Sequence, residues 1–219
     1  MDARSHTGIL FVMLSCQDPT LEPEWDKWYD EIHIPDVTAL GFFPKGARFR
    51  KASGSTPGEA RSLTVYETER ADPQKAYDDQ SVVFPNIPES RRMDHPKTTF
   101  CYRAIFKHEA TIGKPPRKTG IAQIALSNCT DAARESEFVR WYEGTHIPEV
   151  LATGAFGSAS RYRATKPGEG EPRHLVIYES ASVEPAKVQQ ALAALKGKTT
   201  PPPPTLELLH AALFRRAAH

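Results

Sequence analysis

The chain has 219 residues, a length that suits one large domain or two domains of about 100 residues each. Hydrophobic residues make up 39% of the sequence and charged residues 25%, so we expect a packed core and no global disorder. The formal net charge is +1 with the two signs interspersed, which argues against a nucleic-acid partner.

The cysteines and the apolar segments predict the compartment. Three widely spaced cysteines show neither metal-binding spacing nor a disulfide framework, which indicates a reducing environment. Residues 8–16 resemble a signal-peptide core, but Thr7-Gly8-Ile9 recurs in mid-chain as Thr119-Gly120-Ile121, so we interpret both segments as first strands. No apolar run reaches the roughly 20 residues needed to cross a bilayer. The sequence therefore predicts a cytoplasmic protein without a membrane partner.

In chain order, the first half reads as strand, helix, strand, strand, helix and strand. A continuous apolar run predicts the first strand, apolar residues at helical spacing predict the first helix, and alternation of residue character predicts the paired strands. Gly, Ser and Pro residues mark the turns between these elements. The predicted bounds are strand 8–16, helix 21–40, strands 46–51 and 62–68 around a loop at 53–58, a second helix near Pro85, and a strand near 98–107.

The second half repeats the first at an offset of 113 residues. The segment WYDEIHIPDV at residues 28–37 matches WYEGTHIPEV at residues 141–150. The register continues through Arg48 and Arg161, and after one deletion Tyr66-Glu67 matches Tyr178-Glu179. We therefore interpret the chain as a tandem duplication.

The predicted repeats occupy residues 1–108 and 119–219, joined by a linker at 109–118. Helices are expected near 132–153 and 184–196, and Pro201 to Pro204 form an extended link to the last strand. Each repeat is a ferredoxin-like βαββαβ unit, whose sheet has one apolar face left to bury. The predicted fold class is α+β, with tandem ferredoxin-like repeats forming an intramolecular, pseudo-dimeric α+β barrel. We expect a monomer with pseudo-twofold symmetry, or a homodimer.

The pattern W-Y-x-x-x-H-I-P-[DE]-V, followed by a glycine, an aromatic residue and R-[FY]-R, resembles the dimeric α+β barrel superfamily, in particular EthD-like and related small barrel proteins. The resemblance covers essentially the whole chain, twice. Relatives include cofactor-free polyketide monooxygenases and cyclases, lactone isomerases and decarboxylase-like proteins, and double-barrel haem enzymes share the architecture. The resemblance implies a small-molecule pocket between sheet and helices in each half, and leaves the reaction open.

The candidate catalytic residues are Tyr29 and His33, repeated as Tyr142 and His146. An i, i+4 pair lies on one helix face, so phenol and imidazole can reach the same ligand. Pro35 and Pro148 are expected to break each helix just after the histidine, which would turn its side chain into a cleft. Histidine is the commonest general acid or base. In the alternative, each histidine is structural and bonds backbone carbonyls or the local carboxylate of Asp36 or Glu149.

Six further residues are candidate substrate-binding groups. They are Trp28, Trp141, Arg48, Arg161, Glu67 and Glu179. Trp28 and Trp141 continue a stripe with Trp25 and Phe138 that we expect to pack on the sheet. Each arginine either pairs with the glutamate of the neighbouring strand at the rim, or binds a substrate carboxylate or enolate oxygen while the glutamate orients it.

We predict a cofactor-independent enzyme of the lyase, isomerase or cyclase type, acting by histidine-mediated proton transfer on an aromatic or polyketide-like molecule; a monooxygenase reaction also fits. One alternative is a non-catalytic accessory protein that binds the same small molecule. Another is a haem protein with His146 as axial ligand. No metal is expected, because each proline disrupts the spacing from histidine to the next carboxylate. No Gly-rich nucleotide loop or G-x-S-x-G elbow is present.

Overall fold

Two four-stranded antiparallel sheets carry the helices of the chain, and a computed structural model describes residues 6–52, 59–88, 91 and 98–217. The first unit takes the described residues of Met1–His108 with Ala217, and the second takes Glu109–Arg216. The predicted loop at 53–58 lies outside the described residues.

In the first unit the sheet order is β4-β1-β3-β2. Its elements are β1 (Gly8–Cys16), α1 (Glu22–Trp28), α2 (Ile34–Ala39), β2 (Lys45–Lys51), β3 (Ser62–Thr68), α3 (Pro73–Val83) and β4 (Thr98–Gly113). The core forms where α1 and α2 pack on the sheet, and Trp25 and Phe43 are almost completely buried there. The predicted packing of Trp25 is therefore confirmed.

The second unit has the sheet order β8-β5-β7-β6. Its elements are β5 (Ile121–Cys129), α4 (Glu135–Trp141), α5 (Ile147–Leu151), β6 (Ser158–Ala164), β7 (His174–Ser180), α6 (Pro185–Leu195) and β8 (Leu206–Arg216). Phe138 of α4 is fully buried, in the position of Trp25. Both units therefore show the order of strands and helices predicted from the sequence. The closing of the two sheets into one barrel stays a prediction.

The strand β4 extends beyond the predicted bound near 107 and takes up the first half of the predicted linker. Its last residues, from Glu109 onwards, belong to the second unit. There the hydroxyls of Thr111 and Ser160 lie 2.9 Å apart, and the Lys114 N–H donates to the carbonyl of Gly157 at 2.8 Å. These bonds to β6 and the turn before it keep the chain extended as far as Gly113.

The repeated Thr-Gly-Ile segment is explained by close packing at the start of β1 and β5. A Cβ atom on Gly8 would lie 2.4 Å from Pro73 of α3 and 2.5 Å from the carbonyl oxygen of Phe106. A Cβ atom on Gly120 would lie 2.3 Å from the carbonyl oxygen of Ser182. Only glycine fits at these two positions without movement of the neighbouring chain.

Candidate functional site

The helix that carries Tyr29 and His33 does not break at Pro35, and the prediction of a break was wrong. The segment Tyr29–His33 is one turn of π-helix between α1 and α2, and the Ile34 N–H donates to the carbonyl of Tyr29, five residues back. Ile34 keeps helical backbone angles of −60° and −49°. Proline has no N–H and crowds the carbonyl four residues before it, and the wider turn accommodates both effects.

The second unit repeats this turn at Tyr142–His146, between α4 and α5, with the Ile147 N–H donating to the carbonyl of Tyr142. The tyrosine begins the π-turn and the histidine ends it in both units. The ring centres of Tyr29 and His33 are 4.6 Å apart, and those of Tyr142 and His146 are 5.7 Å apart. Single π-turns inside α-helices occur frequently at functional sites.

Each tyrosine–histidine pair lines a cavity inside its own unit. The cavity of the first unit has a volume of about 240 Å³ and includes Tyr29 and His33 in its wall, with Leu10 and Val12 of β1. The cavity of the second unit is larger, about 360 Å³, and includes Tyr142 and His146. Concave, mostly apolar cavities with a few polar groups are the usual form of small-molecule sites.

A second tyrosine, which the sequence reasoning did not assign to the site, lines each cavity. Tyr66 of β3 lies in the wall of the first and Tyr178 of β7 in the wall of the second. Both were visible in the sequence as matched positions of the repeat, and the side of the strand that faces the helix could have indicated them. The two cavities therefore share two phenols and one imidazole at matched positions, and the first cavity has a third phenol, that of Tyr77.

The four phenols stay protonated at neutral pH. Burial raises the pKa of Tyr29 and Tyr142, and it raises the pKa of Tyr66 and Tyr178 further. The proximity of the Tyr29 phenol adds to the rise in the pKa of Tyr66. Among the residues that the structure describes, none forms a hydrogen bond with the buried Tyr178 hydroxyl. That hydroxyl is available to a ligand.

The two histidines are neutral imidazoles at pH 7. Burial lowers the pKa of His33 to about 4, and the charge of Asp36 offsets this in part. Burial also lowers the pKa of His146, with Glu149 as the opposing charge. Within the described part of the chain, Nδ1 of His146 is buried without a hydrogen-bond partner. A buried polar atom without a partner is costly, and a ligand would relieve that cost.

The candidate tryptophans differ between the units. Trp141 lines the cavity of the second unit and stacks on His146, with ring centres 4.6 Å apart and an angle of 12° between the planes. Trp28 also contacts its histidine, at 4.9 Å, but its Nε1 donates to the carbonyl of Arg91 at 3.1 Å. Trp141 is therefore placed to touch a ligand, whereas Trp28 supports His33 from the side.

The local carboxylates hold other parts of the chain and do not bond the histidines. Asp36 accepts two hydrogen bonds from the Arg91 guanidinium, at 2.9 and 2.7 Å. Glu149 accepts bonds from the backbone N–H and the hydroxyl of Thr200, the latter at 2.6 Å. Asp36 thus anchors the segment that follows α3, and Glu149 anchors the segment that follows α6.

The predicted pairing of Arg48 with Glu67 is wrong. The Arg48 side chain is buried and forms a two-point ion pair with Asp30, with both N···O distances 2.6 Å, and a third bond to Asp26 at 2.7 Å. In the sheet Arg48 lies opposite Thr64, while Glu67 lies opposite Lys45. The helix that packs over this face brings two carboxylates closer to Arg48 than the neighbouring strand does.

The predicted pairing of Arg161 with Glu179 is wrong for the same reason. Arg161 donates to Glu143 at 2.8 Å, and Glu143 occupies the helix position of Asp30. The buried Glu179 carboxylate accepts from the hydroxyls of Thr119 at 2.6 Å and Ser158 at 3.4 Å. Neither arginine lines the cavity of its unit.

The described ranges contain neither a metal-binding cluster nor a membrane-spanning helix. Within them, no group of three or more histidine, cysteine, aspartate or glutamate side chains could hold a metal ion. No helix in these ranges has the length and apolar character to span a bilayer.

No family model matches the sequence, and no curated protein matches it. Solved structures do share its fold. A mutant chlorite dismutase from Candidatus Nitrospira defluvii, in complex with cyanide, covers 99% of this chain and 92% of its own, with 9% identity and a TM-score of 0.59. A provisionally assigned chlorite dismutase covers 97% and 96%, with 12% identity and a TM-score of 0.55.

A protein from Fusobacterium nucleatum, provisionally assigned as a monooxygenase, covers 96% of this chain and 93% of its own, with 9% identity and a TM-score of 0.50. At these identities the likeness shows the fold alone. That fold agrees with the resemblance to the dimeric α+β barrel superfamily found in the sequence, and the narrower likeness to EthD-like proteins stays a prediction.

Proposed function

We propose that the protein is a cofactor-independent enzyme of the lyase, isomerase or cyclase type that acts on an aromatic or polyketide-like small molecule. The observation that carries this proposal is the repeated set of one neutral imidazole and two protonated phenols around an apolar cavity. A structural histidine in a core does not require an open cavity beside it. In both units, however, a histidine and two tyrosines at matched positions line the same cavity.

The proposed reaction begins with a substrate oxygen between the two phenols, Tyr29 and Tyr66 or Tyr142 and Tyr178. Their hydroxyls donate hydrogen bonds to a carbonyl or phenol oxygen and stabilise the negative charge that develops there. The neutral His33 or His146 takes a proton from the carbon next to that carbonyl, and the electron pair of the broken C–H bond remains on the substrate as an enolate. Because burial disfavours the imidazolium, the histidine returns the proton readily to a second substrate atom.

We infer from the equivalent positions of these residues that the two sites arose by duplication of one unit. Tyr29, His33 and Tyr66 correspond to Tyr142, His146 and Tyr178 in sequence and in the sheet, where Leu10 lies opposite Tyr66 and Gln123 lies opposite Tyr178. The second cavity is larger, so the two sites differ in the size of ligand that they admit.

A haem protein is the second candidate, because the fold is shared with chlorite dismutases. The residues fit in one respect: His146 presents a neutral imidazole to the cavity of the second unit, and this imidazole would hold the iron of a bound haem. Bound haem would supply redox chemistry at that site. The absorbance spectrum of the protein, purified from cells supplied with a haem precursor and again after titration with hemin, decides between the two candidates.

A thermal-shift screen of phenols, aromatic acids, lactones and polyketide-like compounds tests the binding site. A ligand present at about 100 times its dissociation constant is expected to stabilise the protein by about 2.7 kcal/mol. We expect the His33→Gln/His146→Gln double variant to bind the compound more weakly and to show a smaller thermal shift, because the contact with the imidazole is lost. The control is Arg50→Gln, because Arg50 pairs with Glu22 and Asp26 and does not line the cavity. If no compound stabilises the wild type, and the double variant only melts at a lower temperature, the histidines are structural.

A further inference from the structure

The cavity of the first unit contains a cation that the second cavity lacks at the same place. Arg103 of β4 lies opposite Val12 of β1, and side chains that face each other on paired strands lie on the same side of the sheet. Both residues line the cavity. In the second unit the equivalent strand position, opposite Ala125, is Ala211.

The Arg103 guanidinium is held by aromatic rings. Its central carbon lies 5.7 Å from the ring centre of Tyr77 and 5.4 Å from that of Phe100, both of which line the same cavity. Stacking on aromatic faces fixes the plane of a guanidinium and leaves its N–H edge free to donate. Among the residues that the structure describes, no carboxylate forms an ion pair with Arg103. Arg48, Arg50 and Arg161, in contrast, are all paired.

A second polar group of this cavity has no partner. Gln80 of α3 is only 5% exposed and lines the cavity, and its Oε1 forms no hydrogen bond with the described residues. A buried amide oxygen without a donor favours a ligand that brings a hydroxyl or an N–H group. The equivalent position on α6 of the second unit is Leu192, which lines that cavity.

We propose that the first cavity binds a hydroxylated aromatic carboxylate, with the carboxylate on Arg103 and a hydroxyl of the ligand on Gln80. A guanidinium binds a carboxylate through two parallel N–H···O bonds, which gives both strength and orientation. Leu10 and Val12 provide the apolar wall for the ring. The second cavity has neither polar group, and its lining cation is Lys196, which lies just after α6 and is exposed, as Arg103 is.

This inference rests on the proposed small-molecule site and names its ligand class. Fluorescence titration can test it, because Trp25 and Trp28 belong to the first unit and Trp141 is the remaining tryptophan of the chain. In a Trp141→Phe background the signal comes from the first unit alone. The probes are 4-hydroxybenzoate, benzoate and the neutral methyl ester of 4-hydroxybenzoate.

We expect Arg103→Gln to weaken the binding of 4-hydroxybenzoate by about tenfold or more, since a hydrogen bond to a charged group is lost, and to leave the ester unchanged. Arg103→Lys should restore part of the affinity. Gln80→Leu, which introduces the residue of the second unit, should remove the preference for 4-hydroxybenzoate over benzoate. Lys75→Gln, which removes an exposed cation of α3 outside the cavity lining, is the control and should change none of these affinities.

Two results would overturn the inference, and they have different consequences for the proposed small-molecule site. If Arg103→Gln weakens acid and ester equally, or neither of them, the carboxylate is not on Arg103, while the proposed site is unaffected. If none of the three probes binds to the first unit, the inferred ligand class is refuted, and the small-molecule site itself is refuted only if the wider thermal-shift screen also finds no ligand.

Discussion

Replacement of Arg48 by glutamine is expected to lower the free energy of unfolding by about 3–5 kcal/mol, the usual effect of removing one partner of a buried ion pair. The Arg48 side chain is 1% exposed, and its partner Asp30 is 9% exposed. Loss of the guanidinium leaves the Asp30 carboxylate in a poorly hydrated position without its two hydrogen bonds. Urea denaturation followed by circular dichroism measures the change.

The matched control is Arg50→Gln on the same strand. Arg50 pairs with Glu22 at 2.7 Å and with Asp26, which also bonds Arg48, but the Arg50 side chain is 37% exposed, so the expected loss is at most about 1 kcal/mol. Equal, small effects of both substitutions would show that the Arg48 cluster contributes little to folding.

Acidification from pH 7 to pH 4 is expected to destabilise the protein through two buried histidines. Burial lowers the pKa of both His33 and His174 to about 4, with the charge of a neighbouring carboxylate opposing it in each case. In the unfolded chain a histidine titrates near pH 6.5, so between about 6.5 and 4 only the unfolded state binds the proton. The contribution of these two histidines to the free energy of unfolding is therefore fully present above pH 6.5. It is lost as the pH falls towards 4, by about 3 kcal/mol for each histidine.

The slope of the unfolding free energy against pH isolates this effect. His174→Ser introduces the residue that the first unit has in this position, Ser62, and His33→Gln removes the other imidazole. Each variant should flatten the slope between pH 6.5 and 4, whatever its own stability at pH 7. The depressed pKa of Asp36, which is caused by the Arg91 guanidinium, adds to the loss below this window. An unchanged slope in both variants would contradict the assigned histidine states.

The repeat made most of the fold predictable. Matching of residues 28–37 with 141–150 set the order of the elements in both units, because the same periodicity appears twice. The bounds of β1, β3 and α6 agree with prediction to within about one residue. The prediction of a helix break at Pro35 was wrong because it assumed that the turn before the proline is α-helical, whereas the chain forms a π-turn there.

The candidate site was predictable in its helical part. Tyr29 and His33 are close in sequence, so helix geometry alone places them together. Tyr66 is brought to them by packing of the helix on β3, which no local pattern encodes. The partners of Arg48 were predicted wrongly for the same reason. Asp26 and Asp30 are 18 or more positions away in the chain, and the prediction considered only residues of the neighbouring strand.

The central claim is that His33 and His146 move a proton, and the most direct test is turnover of a compound that the screen identifies as a ligand. Wild type, the His33→Gln/His146→Gln double variant and the Arg50→Gln control would be compared at saturating compound in deuterated water, with deuterium incorporation and product followed by NMR. We predict that the double variant binds the compound but loses about 10²–10⁴-fold in rate, while the control keeps the wild-type rate. An equal rate in the double variant and the wild type would contradict the claim, and binding without exchange or product in any of the three proteins would make this an accessory binding protein.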